Sequence, residues 1–133
     1  ASISNKVTYT GHLPRRELKR WYQMADIGVA PSYTEQCSYV GIEMMMHGLP
    51  VVSSDGFGLR DMFKDGVNAI VAPIGSRTGK DKPLAGNLAH ALAMLLTADA
   101  LRDKIGRNAR KAYLQHYSSC TMNEGYRQLF NAL

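Results

Sequence analysis

Between residues 7 and 73 the chain alternates short β-forming runs with helical stretches, and this alternation limits its fold more than any other property. The runs are VTY (7–9), IGVA (27–30), PVVSS (50–54) and NAIVAP (68–73). Between the first two, Pro14 suits the first position of a helix, and RRELKRWYQMA repeats apolar residues at Leu18, Trp21, Tyr22 and Ala25. Between the next two, Ser38 is placed to cap a helix over 39–47 that Gly48 and Pro50 bring to an end. DGFG reads as a turn, LRDMF as a short helix and KDG as another turn. Strands and helices in this order predict an α/β fold, a parallel sheet covered by helices.

Beyond Pro73 the pattern changes. A polar stretch, IGSRTGKDKPLAGN, leads into three predicted helices at 84–97, 99–116 and 119–132. Residues 1–76 read as the α/β core, and residues 77–133 as the C-terminal helices of the same domain. A chain of 133 residues can bury a core of that kind. The last helix spaces Met122, Tyr126, Leu129, Phe130 and Leu133 along one face, which needs a partner: this sheet, a part of the protein outside these residues, or a second copy.

Charge divides along the same line. Residues 1–76 hold seven basic and seven acidic side chains, whereas residues 77–133 hold nine basic and four acidic ones and so carry the whole net charge of +5. Such a half serves either as solvated helix surface or as a contact for an anionic membrane or a phosphorylated ligand. Nucleic acid is disfavoured, because no recognition helix or aromatic-interleaved basic platform is present. Cys37 and Cys120 are isolated and lack metal-site spacing, which fits a reducing, cytoplasmic setting, with peripheral membrane attachment as the alternative.

The stretch EQCSYVGIE, residues 35–43, raises the sharpest chemical question. Glu43 stands among Val40, Ile42 and Met44–Met46, on a helix so apolar all round that it should be buried. A buried carboxylate needs donors. Glu35 precedes the same helix, just after a strand, where parallel sheets bind ligands. The helix start at Ser38–Val40 adds unpaired amides and a positive dipole end, both suited to phosphate.

Two glutamates in E-x7-E spacing, followed by a helix and HGLPVV, resemble the donor-binding segment of retaining glycosyltransferases of the GT-B fold, and within them the family 4 group. The similarity runs in register over residues 7–73, and LRDKIGRNARKAYLQHYS resembles the C-terminal helices of that group. The resemblance implies a Rossmann-like domain that is the C-terminal half of a two-domain enzyme. An N-terminal domain and the basic pair that neutralises the leaving diphosphate would both lie outside this chain. Lys6, Arg15 and Arg60 do not match that pair.

Carried over by position, Glu35 is the residue at the chemistry, near the anomeric centre of the donor sugar. The amides around Cys37, Ser38 and Tyr39 receive sugar and diphosphate, and Glu43 accepts hydrogen bonds from the ribose. Gly11 and His12 match a loop near the nucleotide, with a structural role for His12 equally weighed. Gly56 and Gly58 match a glycine pair that lets the backbone turn close to the site, and Asp61 follows as a scaffold residue. The family often has glycines where this chain has Gln36, Cys37 and Ser38, which bears on the sugar bound; Cys37 reads as a small packed residue. The implied reaction moves a sugar from a nucleotide diphosphate-sugar, the co-substrate, to a saccharide, lipid or other hydroxyl acceptor, without metal or other cofactor. Two other readings fit: a non-catalytic nucleotide-binding or interaction module, and a fragment that epimerises sugar nucleotides.

Overall fold

A computed structural model of the chain describes residues 6–75 and 83–132. Three strands, β1 (Gly28–Ala30), β2 (Val51–Ser54) and β3 (Ile70–Ala72), form one parallel sheet in that order. Val29 lies opposite Val52, and Ser53 opposite Val71. Helix α1 (Arg15–Met24) precedes β1, α2 (Tyr39–Met46) joins β1 to β2, and α3 (Leu59–Met62) lies between β2 and β3. After β3 come α4 (Pro83–Thr97), α5 (Asp99–Ala112), a π-helical turn (Tyr113–Tyr117) and α6 (Ser119–Asn131). The predicted α/β architecture is therefore the observed one.

All four residues of β2 are buried. Successive side chains leave a strand on opposite faces, and Val51 joins one cluster with Met44, Met45, Leu59 and Phe63 while Val52 joins another with Ile70, Leu95 and Ile105. The central strand is thus apolar on both faces, as helices on both sides of a parallel sheet require.

Helix α5 binds the layers together through its polar side chains. Arg102 donates to the Leu95 carbonyl of α4 at 3.0 Å and pairs with Asp99 at 2.9 Å. Lys104 donates to the Gly66 carbonyl at 3.3 Å, and Asn108 to that of Val67 at 2.8 Å. Arg110 reaches the Met46 carbonyl, one of the unpaired acceptors at the end of α2, while lying 5.2 Å from the centre of the Tyr113 ring. Part of the basic excess of the second half therefore satisfies carbonyl groups.

Three expectations need correction. Residues 7–9 form no strand; Val7 and Tyr9 are exposed, and none of the three described strands pairs with them. A short run of β-formers gains nothing from extended geometry without a neighbouring edge to share hydrogen bonds. The continuous helix expected over 99–116 changes to π-type hydrogen bonding at Tyr113 and gives way at Ser118, whose hydroxyl caps α6 by accepting from the Thr121 amide at 3.1 Å. Finally, α2 is not buried all round: Gly41, Met44 and Met45 are buried, whereas Tyr39 and Val40 face solvent.

Residues 76–82 of the polar stretch lie outside the described residues, as do the boundary drawn at residue 76 and the last face residue, Leu133, while the PLAGN end of that stretch belongs to α4. On α6, Met122, Tyr126, Leu129 and Phe130 are all more than half exposed, so the apolar face does not pack on this sheet. Among the described residues no helix is long and apolar enough to cross a membrane.

The turn before β3 is held by Asn68, which is buried. Its Oδ1 accepts from the Lys64 amide at 2.7 Å and its Nδ2 donates to the Met62 carbonyl at 3.0 Å. Asn68→Ala leaves both backbone groups without these partners, and should lower stability by about 1–3 kcal/mol. A urea midpoint equal to that of the parent chain would show that other contacts hold the turn.

Candidate functional site

Two loops leave the carboxyl end of the sheet side by side, residues 31–38 from β1 and residues 55–58 from β2. They are joined mainly through backbone atoms. The Glu35 amide donates to the Phe57 carbonyl at 2.9 Å, and Thr34 and Phe57 form a parallel bridge. The Ser54 hydroxyl donates to the Ser32 carbonyl. Gly56 and Gly58 are buried between the loops: a Cβ on Gly56 would come within 2.7 Å of the Tyr33 carbonyl oxygen, and one on Gly58 would collide with that of Glu35. Gly58 also has φ +83°, a conformation that side chains disfavour. Both glycines act by letting one loop press against the other.

Glu35 is thereby fixed at the mouth of the β1 loop. Its carboxylate is half-buried, and Oε1 accepts from the Ser32 hydroxyl at 2.9 Å. Three residues on, Ser38 is buried and caps α2, its Oγ accepting from the Gly41 amide at 3.1 Å. The serine hydroxyl is therefore committed to the helix. The Tyr39 and Val40 amides have no backbone acceptor among the described residues, so they stand open at the positive end of α2. Cys37 is exposed rather than packed, because the loop turns its side chain outward before the cap. Behind this loop Tyr117 of the π-helical turn packs on the core, and burial, with Cys37 and Asp61 nearby, pushes its hydroxyl pKa upward.

Glu43 sits farther along α2, half-buried, with a side-chain donor from another element. Tyr22 of α1 donates its hydroxyl to Glu43 Oε2 at 2.9 Å. Burial, followed by the hydrogen bond to Glu43 and its negative charge, raises the Tyr22 pKa to about 12, so the hydroxyl keeps its proton at neutral pH. The Tyr22 ring stacks on His47 with centroids 5.4 Å apart and planes 17° from parallel. Together they line a groove of about 360 Å³ between α1 and α2, with Leu18 and Met46 on its wall and Arg15 and Lys19 among its charged groups.

The structure thus brings Glu35, Ser38, Gly56 and Gly58 into one interlocked pair of loops, with Tyr39 and Glu43 on the helix that follows. Gly11 and His12 are both exposed, and among the described residues no hydrogen bond or ring contact joins either to residues 35–43. Three participants were not singled out in the sequence, namely Ser32, Ser54 and Tyr22. Tyr22 was visible only as one apolar position of α1, and nothing local marks its hydroxyl as a partner for a residue 21 positions away. Among the described residues no three His, Cys, Asp or Glu side chains gather as a metal ion would need.

A family model described as glycosyl transferases group 1 matches residues 1–112. The D-inositol 3-phosphate glycosyltransferase of Xylanimonas cellulosilytica is 34% identical over 110 residues, covering 83% of this chain and 24% of that protein. A glycosyltransferase of Methanocaldococcus jannaschii is 32% identical over 117 residues, 87% of this chain and 28% of its own length. Among solved structures, the sucrose-phosphate synthase of Thermosynechococcus elongatus superimposes with a TM-score of 0.79 at 28% identity, over 98% of this chain and 32% of that one. HepE of Anabaena in complex with UDP and glucose gives a TM-score of 0.81 at 20% identity over 98% of this chain and 33% of that one, a likeness of fold alone. The chain spans about a quarter of the length of these curated relatives.

Two outcomes follow from this geometry. Gly58→Ala places a side chain at positive φ and against the Glu35 carbonyl, and should lower stability by about 2 kcal/mol or more; a variant as stable as the parent would mean the loops are not so tightly joined. His47 is held below the usual imidazole value of 6.5, first by burial and then by Lys19 and Arg110, with Glu43 opposing. The fold favours the neutral ring, so this contribution to stability is complete above about 6.5 and is lost as pH falls through the lowered value. A proton NMR titration should give His47 a midpoint under 6.5, and a midpoint at or above it would contradict the assignment.

Proposed function

The chain belongs to the glycosyl transferases group 1 family, and we propose that it forms the donor-binding part of a retaining, family 4 type glycosyltransferase acting on a nucleotide diphosphate-sugar. The observation that carries this reading is the arrangement around the start of α2. A carboxylate fixed by main-chain contacts, open amides at a helix N-terminus and a second carboxylate farther along the helix follow one another from the carboxyl end of the sheet. That order matches the chemical order of a sugar, a diphosphate and a ribose.

In the proposed reaction an acceptor hydroxyl oxygen bonds to the anomeric carbon as the bond to the diphosphate breaks. The bond's electron pair leaves on the diphosphate, whose departing oxygen takes up the proton that the acceptor hydroxyl gives up. Negative charge grows on the departing group, where the Tyr39 and Val40 amides and the dipole of α2 stabilise it. Glu35 binds sugar hydroxyls and favours the cationic character of the sugar. Glu43 accepts from the ribose. The residues call for no metal or other cofactor. The acceptor site and further basic groups at the diphosphate come, on this reading, from outside these 133 residues.

In the full-length protein that contains this chain, Glu35→Ala should lower sugar transfer by on the order of a hundredfold or more, with the far-ultraviolet circular dichroism and melting temperature close to the parent's. Turnover at the parental rate would overturn the assignment of Glu35. The 133 residues by themselves should release no transferred product from UDP-, GDP- or ADP-sugars.

A further inference from the structure

The open edges of the molecule, the face of α6, the polar groove of about 570 Å³ beside Asp61 and His116, and the groove between α1 and α2 all offer surface. The last contains a carboxylate held by a side-chain donor from another helix. Glu43 lines that groove and has one oxygen held by Tyr22 and the other, Oε1, without a hydrogen-bond partner among the described residues.

We propose that Tyr22 is a positioning residue for nucleotide recognition: its hydroxyl fixes the Glu43 carboxylate so that Oε1 is presented to a ribose hydroxyl of the donor. This rests on the reading of Glu43 as a ribose acceptor and adds the group that orients it. A glutamate carries three side-chain torsions, and an unrestrained one must be ordered at the moment a ligand binds. Here the ordering is done beforehand. Tyr22 holds Oε2 from a separate helix, and its own ring is fixed by stacking on His47. The phenol keeps its proton and donates it to Oε2, which leaves the lone pairs of Oε1 for a sugar hydroxyl that must also donate. The carboxylate therefore has one oxygen for the protein and one for the ligand.

The arrangement also explains why a phenol stands in a helix that has no fully buried side chain, Tyr22 itself being half-buried. The Tyr22 ring reaches the core cluster that includes Met44 and Met45, so its backbone is placed by packing and its hydroxyl by the carboxylate. Phenylalanine would satisfy the first requirement and not the second. That separation makes Tyr22→Phe a clean substitution.

The test uses the full-length protein and isothermal titration with UDP, GDP and ADP, each beside its 2′,3′-dideoxy counterpart. With the best-bound ribonucleotide, Tyr22→Phe should weaken binding by about three- to tenfold, the cost of ordering on binding one side chain that the parent holds in place. The dideoxy counterpart should bind the parent and Tyr22→Phe alike, because it makes no use of Oε1. In sugar transfer the KM for the donor should rise by a larger factor than kcat falls. Equal weakening of both nucleotides would assign Tyr22 a purely structural role and overturn the proposal, as would unchanged binding of the ribonucleotide. Glu43→Gln separates this from failure of the underlying reading. If that variant also leaves ribonucleotide binding unchanged, or if no nucleotide binds the parent, Glu43 is not a ribose acceptor and both statements fall. If Glu43→Gln weakens binding and Tyr22→Phe does not, only the positioning role is lost.

Discussion

The four residues of β2 are closed to water on both faces, and every other layer is arranged by that condition. A strand so short cannot supply its own burial. It is covered by α2 and α3 through Val51 on one side and by α4 and α5 through Val52 on the other. Parallel pairing to β1 and β3 then follows, since helical connections leave each strand running in the same direction. Because all three strands end at one edge, the loops after β1 and β2 emerge together there. The meeting of Glu35 with the glycine loop is a consequence of sheet topology before it is a matter of side-chain chemistry.

Much of this was legible in the chain. The runs at 27–30, 50–54 and 68–73 are β-branched, bounded by turn residues and separated by helical spacing, so their local preference agrees with their final state. Ser38 was identifiable as a cap from its position before a helical stretch, and the hydroxyl does bond the Gly41 amide. The run at 7–9 has the same local preference and no strand, because sheet pairing depends on an available edge, which no window of sequence contains. The change to π-type bonding at Tyr113 was hidden for a related reason. It depends on where the end of α5 meets α2 and the site loop, and YLQHY taken by itself has an ordinary helical composition.

The site divides in the same way. Glu43 was conspicuous as a charge in an apolar neighbourhood, Glu35 by its place between a strand and a helix, and Gly56 and Gly58 as a pair after a strand. What could not be read was the partner of each: Ser32 for Glu35, Tyr22 for Glu43, and the Tyr33 and Glu35 carbonyls for the glycines. Tyr22 and the two glycines act across the fold, 21 or more positions from the residues they meet. Sequence marks the groups with unusual demands; the fold determines how those demands are met. The basic helix α5 makes the point from the other side. Its composition left solvated surface and an anionic contact both open, and three of its cations bond the carbonyl groups of neighbouring elements.

The joining of the two site loops through main-chain atoms has a consequence for how such a protein can change over evolutionary time. The Glu35 amide and the carbonyls of Ser32, Glu35 and Phe57 are present whatever side chains those or neighbouring positions bear. The side chains of Gln36 and Cys37 are exposed, and no hydrogen bond among the described residues ties them to the other loop. Their identity can drift without moving the carboxylate beside them. Placement of the carboxylate and the chemical character of the loop surface reside in different atoms, so over a lineage the one can be inherited intact while the other changes.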